Sequence, residues 1–320
     1  MMTGRQKLAI VIVSWNVREM LLACLRSVFE DMALYGIEGT VWVVDNVSKD
    51  GTAQTVRETF PQVRLIEPAQ NLGFAGGNNL ALRAIGFPDG AELPDAVLLL
   101  NPDTLVRPGA LRALLDALML PGVGLAGARL VYGDGTFQHS AFGFPGLLQL
   151  IFDLFPVPGR LIESRLNGRY PRVLYRRGTP FRVDHPLGAT FMLRREVIAQ
   201  TGMFDENFFM YCEEIDWAIR IREAGWKAVC VPSAEVVHYG GQSTGQVKPR
   251  SVVNLWAARI RLYAKHYGPA RNLAARNIIR MGMKRLIRRT EQDTILDRES
   301  RSSLIEAYRQ VIVLTHRAHI

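Results

Sequence analysis

The sequence predicts an α/β protein with a mostly parallel central sheet flanked by helices. Short apolar runs recur along the chain, and segments with apolar residues at spacings of three and four lie between them. Buried parallel strands have continuous apolar sequences, and their alternation with amphipathic helices is typical of crossover connections. The runs that we interpret as strands are 8–13, 41–44, 63–66, 96–100, 123–130, 187–193 and 226–231.

The helical segments 17–32 and 109–119 each present one apolar stripe, as expected for helices that cover a sheet. The alternation of strands and helices stops at 132–185, which combines a Gly-Asp-Gly turn, an apolar patch and an arginine-rich stretch. We interpret 132–185 as an insertion over the functional edge of the sheet.

The C-terminal part of the chain has a different composition, so we predict a main domain at 1–245 and a basic helical region at 246–320. Within the latter, 252–287 is predicted to be a long helical stretch that mixes aromatic, apolar and basic residues. A further helix is predicted at 297–320, without any chemistry that we can identify.

The overall composition is that of a globular protein, with 48% hydrophobic and 22% charged residues among 320. Cys24, Cys212 and Cys230 form no CxxC pair and lie in apolar or partly apolar stretches, which favours free thiols in a reducing compartment. We find no signal segment, and no apolar stretch reaches the roughly 18 to 20 residues of a membrane span. We therefore expect a cytoplasmic protein, either free or peripheral on the inner face of the plasma membrane.

The net charge of +9 is unevenly distributed. Residues 241–320 contain 16 Lys and Arg against 5 Asp and Glu, and 241–290 contain no acidic residue. Such a block indicates a surface for polyanions, either an anionic membrane leaflet or nucleic acid. The simpler alternative is a helix that packs on the main domain and exposes a solvated basic face.

The segment Asn-Pro-Asp-Thr at 101–104 directly follows the apolar run 96–100. Ligands of open α/β sheets bind outside the carboxyl ends of the strands, so Asp103 is expected at the functional edge, where its carboxylate could hold a hard cation. Taken alone, the same segment is also compatible with an ordinary Asx turn.

Two other segments follow predicted strands. Asp45 ends the second strand, and the glycine- and asparagine-rich segment 71–79 follows the third. Its glycines would let the backbone approach a ligand closely, and its asparagines supply neutral donors and acceptors. The segment 71–79 is not a GxGxxG motif, and no GxxxxGK[ST] motif occurs in the sequence, which argues against a Rossmann dinucleotide site and a P-loop.

Three carboxylates, Glu213, Glu214 and Asp216, lie within four residues at the start of a predicted helix. Acidic residues are common in a first helical turn because the helix dipole stabilises them. Like charges this close also raise one pKa toward the range of a general base. His238 follows a predicted strand by a few residues and is a candidate partner of a metal-binding carboxylate.

Together these segments resemble the family 2 glycosyltransferases of the GT-A fold, most closely the rhamnosyltransferase-like members of bacterial polysaccharide assembly. The resemblance spans about 8–244 and depends on the order and spacing of its motifs, which are Ser-Trp-Asn at 14–16, Asp-Asn at 45–46 with 48–51, the segment 71–79, Asn-Pro-Asp at 101–103, 202–206, 213–217 and His238. It implies a GT-A, or nucleotide-diphospho-sugar transferase, fold with a basic helical C-terminal region.

The resemblance also implies roles for individual residues. Asp103 corresponds to the last aspartate of the family's metal-binding DxD, where Mg²⁺ or Mn²⁺ would bind, and His238 to its additional ligand. The general base would be Glu214, with Glu213 and Asp216 as the next candidates, because this chain has Glu-Glu where the family usually has Glu-Asp. The residues implied in nucleotide binding are Ser14, Asn16, Asp45, Asn71, Gly73 and Asn101.

The activity implied is an inverting, single-displacement transfer of a sugar from a nucleotide-diphosphate donor to a hydroxyl of a saccharide or lipid-linked acceptor. L-Rhamnose from dTDP-rhamnose is the first candidate, and a UDP-sugar is the alternative. A sugar-nucleotide pyrophosphorylase is disfavoured, since no glycine-rich basic loop follows the first strand. A non-catalytic protein that binds membranes or nucleic acid through its basic tail is the competing class, although no nucleic-acid partner is expected.

Overall fold

The computed structural model describes residues 6–240 and 248–317. The strands are β1 (Lys7–Ser14), β2 (Glu38–Asp45), β3 (Arg64–Ile66), β4 (Ala96–Leu100), β5 (Thr104–Val106), β6 (Val123–Val131), β7 (Phe137–Gln138), β8 (Ala141–Phe142), β9 (Phe181–Val183), β10 (His185–Pro186), β11 (Thr190–Arg194) and β12 (Lys227–His238). The helices are α1 (Arg18–Leu34), α2 (Thr52–Thr59), α3 (Gly73–Ile85), α4 (Ala110–Leu118), α5 (Leu147–Leu154), α6 (Gly159–Ile162), α7 (Arg172–Arg176), α8 (Arg195–Thr201), α9 (Glu213–Glu223), α10 (Lys248–His266), α11 (Pro269–Glu291) and α12 (Arg298–Leu314).

Within these ranges, ten strands form one sheet in the order β3-β2-β1-β4-β11-β6-β12-β5, with β7 beside β6 and β9 beside β12. Strands β1 to β4 are mutually parallel, β11 is antiparallel to both β4 and β6, and β12 is parallel to β6. Six strands therefore point the same way, which confirms the predicted α/β class with a mostly parallel sheet.

The order of strands reverses direction at β1. The chain adds β2 and β3 on one side of β1, and α3 then carries it back to β4 on the other side. Connections leave β1 and β4 toward opposite sides, so a crevice opens between their carboxyl ends. Ser14 ends β1 and Asn101 follows β4, so both residues lie at this crevice.

Side chains of β1 alternate between two apolar cores, one on each face of the sheet. Ile10 and Ile12 face the core that contains α1 and α4, whereas Val11 faces the core that contains α8 and α9. The buried Asp31 of α1 accepts the backbone N–H groups of Gly109 and Leu111, and so caps α4 from a neighbouring helix.

The C-terminal helices α10, α11 and α12 form a further core with α5 of the 132–185 segment. The predicted single stretch 252–287 is instead two helices, because α10 ends at His266 and α11 begins with Pro269 at its first position, where proline is favoured. The predicted last helix is present as α12. The division into 1–245 and 246–320 stays a prediction, as does the role of 132–185 as an insertion on the acceptor side.

Candidate active site

A cavity of about 380 Å³ opens at the carboxyl ends of the parallel strands. Its wall comes from the end of β1, the residues after β2, the start of α3 and the turn after β4. The segment before β11, the loop and first turn of α9, the end of β12 and the first turns of α10 complete the wall. The cavity therefore coincides with the crevice at the topological switch of the sheet.

One side of the cavity contains the pair Asp103 and His238. The turn after β4 is closed by a hydrogen bond from the Thr104 hydroxyl to the Asn101 carbonyl, and β5 then pairs with β12 so that Thr104 lies opposite His238. Both Asp103 and His238 are buried, with 3.5 Å between the Asp103 Oδ1 and His238 Nε2 atoms. His238 was expected beyond its strand, whereas it is the last residue of the longer strand β12.

A second contact orients the His238 ring. Its Nδ1 atom lies 3.1 Å from the Gln138 Oε1 atom, and this oxygen can only accept a hydrogen bond. A neutral His238 therefore carries its proton on Nδ1 and presents the Nε2 lone pair toward Asp103. Asn101 approaches the same nitrogen, with 3.5 Å between Asn101 Nδ2 and His238 Nε2.

This donor set fits a divalent cation that is also bound by a substrate. Asp103 supplies a carboxylate and His238 an imidazole nitrogen whose tautomer is fixed from behind, an arrangement common at protein metal sites. No group of three or more His, Cys, Asp or Glu side chains suited to a metal occurs in the described part of the chain. Mg²⁺ and Mn²⁺ are often held by few protein ligands together with phosphates and water, and this pair is of that kind.

The residues predicted for nucleotide binding fall into two groups. Ser14, Asn71, Gly73 and Asn101 line the cavity, whereas Asn16 and Asp45 do not. The Asn16 backbone N–H donates to the Ser48 hydroxyl and its side-chain oxygen accepts from the Lys49 backbone, so Asn16 joins two loops.

Asp45 is the last residue of β2 and does not line the cavity. It pairs in register with Ser14 across β1 and β2, and both side chains are buried. The Ser14 Oγ and Asp45 Oδ1 atoms have no hydrogen-bond partner among the described residues. Burial raises the pKa of Asp45, and hydrogen bonding with Ser48 opposes the rise.

The segment 71–79 is mainly the beginning of α3. Gly73 has a φ of +72°, and a Cβ atom there would lie 2.2 Å from the Phe209 carbonyl oxygen, so the backbone conformation and the close approach both require glycine. Asn79 bonds to the Phe204 backbone and to Glu206, and Asn78 to the Phe74 carbonyl. The side chains of these two asparagines therefore hold the protein's own backbone, whereas Asn71 lines the cavity.

Asn46 is a site residue whose role we did not predict. Its side-chain amide donates to the Gly73 carbonyl over 2.8 Å and its oxygen accepts from the Leu72 N–H over 3.2 Å, while the residue also lines the cavity. Asn46 thus fixes the start of α3 against the end of β2. Its position directly after Asp45 was the available sequence signal.

The loop before α9 directs two carboxylates into the cavity. Tyr211 and Cys212 have φ values of +71° and +64°, a conformation that non-glycine residues seldom adopt outside sites where the surroundings impose it. The helix then starts at Glu213, so that Glu213 and Glu214 lie on its first turn and line the cavity. Gly188 lies beneath Glu214, since a Cβ atom at Gly188 would be 3.3 Å from the Glu214 Cγ atom.

Glu213 and Glu214 both have a buried Oε2 atom without a hydrogen-bond partner among the described residues. Burial raises the pKa of Glu213 well above its ordinary value, and the charge of Glu214 raises it further. Burial also raises the pKa of Glu214. The expected rise in pKa is therefore present, but its main cause is burial rather than like charge.

Asp216 lies on the other face of α9 and does not line the cavity. Its side chain is fully buried and contacts Arg220 Nε at 3.0 Å, and Lys265 Nζ and His266 Nε2 at 2.7 Å each. Burial alone would raise the pKa of Asp216, but hydrogen bonds from His266 and Lys265 outweigh it and lower the pKa to about 2. Asp216 therefore joins α9 to α10.

The first turns of α10 contribute Arg250, Ser251 and Asn254 to the cavity wall. The Arg250 guanidinium lies 5.8 Å from the centre of the Phe209 ring. Sequence reasoning assigned the basic block of α10 to a separate surface and so missed these residues. Residues 241–244, which belong to the predicted motif around His238, lie outside the described ranges.

Comparison with known proteins is consistent with this geometry. Residues 5–268 match the sequence model of the family described as Glycosyltransferase like family 2. The chain is 34% identical over 220 residues to the N-acetylglucosaminyl-diphospho-decaprenol L-rhamnosyltransferase of Mycobacterium tuberculosis (strain CDC 1551 / Oshkosh), over 65% of this chain and 68% of that protein.

Two solved structures share the fold. The mannosyltransferase PcManGT from Pyrobaculum calidifontis, in complex with GDP-Man and Mn²⁺, matches with a TM-score of 0.57 and 16% identity, over 98% of this chain and 88% of that chain. GalNAc-T7 with UDP, GalNAc and Mn²⁺ matches with a TM-score of 0.57 and 14% identity, over 97% of this chain but only 55% of that chain. These likenesses confirm the predicted GT-A fold.

Proposed function

The chain belongs to glycosyltransferase family 2, and from this premise we propose that it is an inverting transferase that moves L-rhamnose from dTDP-rhamnose to a hydroxyl of a lipid-linked acceptor. The observation that carries the proposal is one cavity with the Asp103–His238 pair on one side and the unpartnered carboxylates Glu213 and Glu214 on another. The Asp103–His238 pair can hold a cation that binds the donor diphosphate. The carboxylates can accept the proton of the acceptor hydroxyl.

The donor would bind along the carboxyl ends of β1 and β4. Asp103 and His238 would hold Mg²⁺ or Mn²⁺, and the cation would neutralise the charge that develops on the leaving diphosphate. Ser14, Asn71 and Asn101 line the same cavity and are placed to bind the nucleotide. Asn16 and Asp45 would act indirectly, through the loops and strands that support those residues.

Glu214 would be the general base. Burial raises its pKa toward the range in which a carboxylate accepts a proton efficiently, and the residue lines the cavity with an Oε2 atom that has no hydrogen-bond partner among the described residues. Glu214 would take the proton of the acceptor hydroxyl as this oxygen forms its bond to the anomeric carbon. A single displacement of this kind inverts the anomeric configuration.

The choice of donor and acceptor is supported by likeness to the mycobacterial protein, whose name specifies L-rhamnose and a diphospho-decaprenol carrier. We propose the same substrate classes for this chain. A UDP-sugar donor is the alternative within the family. A non-catalytic role as a nucleic-acid- or membrane-binding protein is less favoured, because it gives no function to two buried carboxylates without partners.

A lipid-linked acceptor requires access to a membrane, and we place the membrane contact on the outer faces of α5 and α11. Ile151 of α5 is 37% exposed, and Leu273 and Met281 of α11 are each 61% exposed. Lys284 and Arg288 follow Met281 on the same stripe of α11, so exposed apolar and basic side chains lie close together, as in helices at a membrane surface. In the described residues, no helix has the length and apolar character needed to cross a bilayer.

Flotation of the protein with phosphatidylglycerol vesicles at physiological salt tests this contact. Replacement of Leu273 and Met281 by serine should abolish flotation, whereas Leu34→Ser, at a comparably exposed position on α1, should not. Retention on DNA or RNA without flotation would instead favour the nucleic-acid alternative.

Thermal stabilisation by dTDP, UDP, GDP and NAD, each with and without Mn²⁺, tests the proposed donor class. A ligand at 100 times its dissociation constant adds about 2.7 kcal/mol of stability. Stabilisation by dTDP that requires Mn²⁺ and is lost in Asp103→Asn would support the proposal, and the same result with UDP would favour the alternative donor. Absence of any shift would contradict both, and NMR of the product's anomeric carbon would test inversion.

A further inference from the structure

Arg250 of α10 has no carboxylate partner among the described residues, in contrast to Arg259 and Lys265 of the same helix. Arg259 pairs with Asp153, and Lys265 pairs with Asp205 and Asp216. Arg250 is exposed and forms no ion pair among the residues that the structure describes. Of the Lys and Arg side chains in the described ranges, it is the one that lines the cavity.

The first turns of α10 are held against the cavity by contacts farther along the helix. Lys265 and His266 bind the buried Asp216 of α9, and the Tyr263 hydroxyl donates to the Gly146 carbonyl over 2.7 Å. These contacts connect α10 both to the helix of the proposed base and to the 132–185 segment. The position of Arg250 is therefore determined by contacts between α10 and the rest of the folded chain.

Asn254 lies one helical turn after Arg250 and lines the same cavity. Its amide has no hydrogen-bond partner within the described part of the chain, so it is available to a ligand. The cavity wall otherwise contains three carboxylates, those of Asp103, Glu213 and Glu214. A cation in this otherwise acidic wall, beside an amide without a partner among the described residues, suits an anionic group of a substrate.

We propose that Arg250 and Asn254 bind phosphate oxygens of a substrate diphosphate. The inference rests on the proposed function and adds to it a phosphate contact on α10, on a different element from the Asp103–His238 pair. Guanidinium binds phosphate in a bidentate manner, and Asn254 would donate its amide to a remaining oxygen. The diphosphate belongs either to the lipid carrier of the acceptor or to the nucleotide donor, and both sources present the same chemistry.

Calorimetry with two probes tests the inference and separates these sources. Geranyl diphosphate represents the carrier phosphate without the sugar, and dTDP with Mn²⁺ represents the donor diphosphate. Arg250→Ala should weaken binding of one probe about tenfold, Arg250→Lys less because it lacks the planar fork, and Asn254→Ala about threefold. Lys248→Ala removes a charge from the same turn outside the cavity wall and should change neither affinity.

Each possible result of these measurements either supports or overturns the inference. Weaker binding of geranyl diphosphate alone assigns the contact to the acceptor, and weaker binding of dTDP assigns it to the donor. Unchanged affinities in the Arg250 and Asn254 variants, or a wild-type protein that binds neither probe, would overturn the inference. Arg250-dependent binding in a protein that transfers no rhamnose would refute the proposed function and leave the phosphate contact standing.

Discussion

The two faces of α9 place nearly identical side chains in opposite environments. On the cavity face, Glu213 is buried and Glu214 is half-buried, and each has a raised pKa and a buried oxygen without a partner among the described residues. On the rear face, Asp216 is fully buried but contacts three basic side chains, and its pKa is lowered to about 2. The sequence shows only three carboxylates within four residues, whereas the structure shows which of them line the cavity and which is used in ion pairs.

The two faces of α9 contribute differently to the stability of the protein. Its rear face contributes stability through a satisfied ion-pair network that attaches α10. Its cavity face loses stability by burying two acidic groups without partners, a cost that is common at catalytic sites. We expect the stability contributed by the rear face to depend on the negative charge of Asp216. We expect removal of a negative charge from the cavity face to increase the stability of the fold.

The largest expected effect is on catalysis by the cavity face. Glu214→Gln should lower kcat by about 10² to 10⁴, because the amide cannot accept the proton of the acceptor hydroxyl. Stabilisation by dTDP and Mn²⁺ should be retained, since the donor contacts lie elsewhere in the cavity. Transfer rates and thermal shifts measure the two properties separately.

Glu223→Gln is the matched control, being the same replacement on the exposed last turn of α9, and it should leave kcat unchanged. In the wild type, kcat should fall as the pH is lowered through the raised pKa of Glu214, because only the ionised carboxylate accepts a proton. Near-normal transfer by Glu214→Gln would move the role of base to Glu213.

The next effect concerns stability at the rear face. Asp216→Asn should destabilise the protein by about 2 kcal/mol at pH 7, since it removes the buried carboxylate that pairs with Arg220, Lys265 and His266. The pKa of Asp216 is lowered, so its contribution is present above the ordinary value of 3.8 and is lost as the pH falls toward about 2. Urea unfolding at pH 7 and under progressively more acidic conditions should show this difference shrinking.

Asp116→Asn provides the control for this measurement. Asp116 forms an exposed ion pair with Arg112 one turn away on α4, a kind of pair that contributes less than about 1 kcal/mol. A similarly small loss for Asp216→Asn would contradict the assignment of Asp216 to helix attachment and would restore it as a candidate base.

The sequence was sufficient to predict the part of the site that follows from the sheet. Three site residues lie at or just after the end of a strand, namely Ser14, Asp103 and His238. The carboxyl ends of parallel strands lie at the same edge of a sheet, whatever the order of the strands. That Asp103 and His238, which are 3.5 Å apart, would lie near each other was expected from the sequence. The pairing of β5 with β12 that brings them together was not predicted.

The remainder of the site depends on tertiary packing that local patterns do not encode. Arg250 and Asn254 reach the cavity because α10 folds back over α9, which requires contacts between residues distant in sequence, such as Lys265 with Asp216. Local propensity also could not tell that Asn79 would be used to hold the Phe204 segment. A periodic pattern identifies a helix but not the neighbour of each of its faces.

The smallest expected effect is a gain in stability at the cavity face. Because the folded-state pKa of Glu213 is raised, the folded protein holds a proton that the unfolded chain releases, and stability falls as the pH rises above the ordinary value of 4.5 toward that higher pKa. Glu213→Gln removes this loss and should raise the free energy of unfolding by about 1 kcal/mol at pH 8, or Tm by about 2 °C. The gain should disappear well below pH 4.5, where the wild-type carboxyl is protonated in both the folded and the unfolded state. A fall in Tm at pH 8 would mean that the ionised Glu213 has a stabilising partner, and the contrast between the two faces of α9 would then be lost.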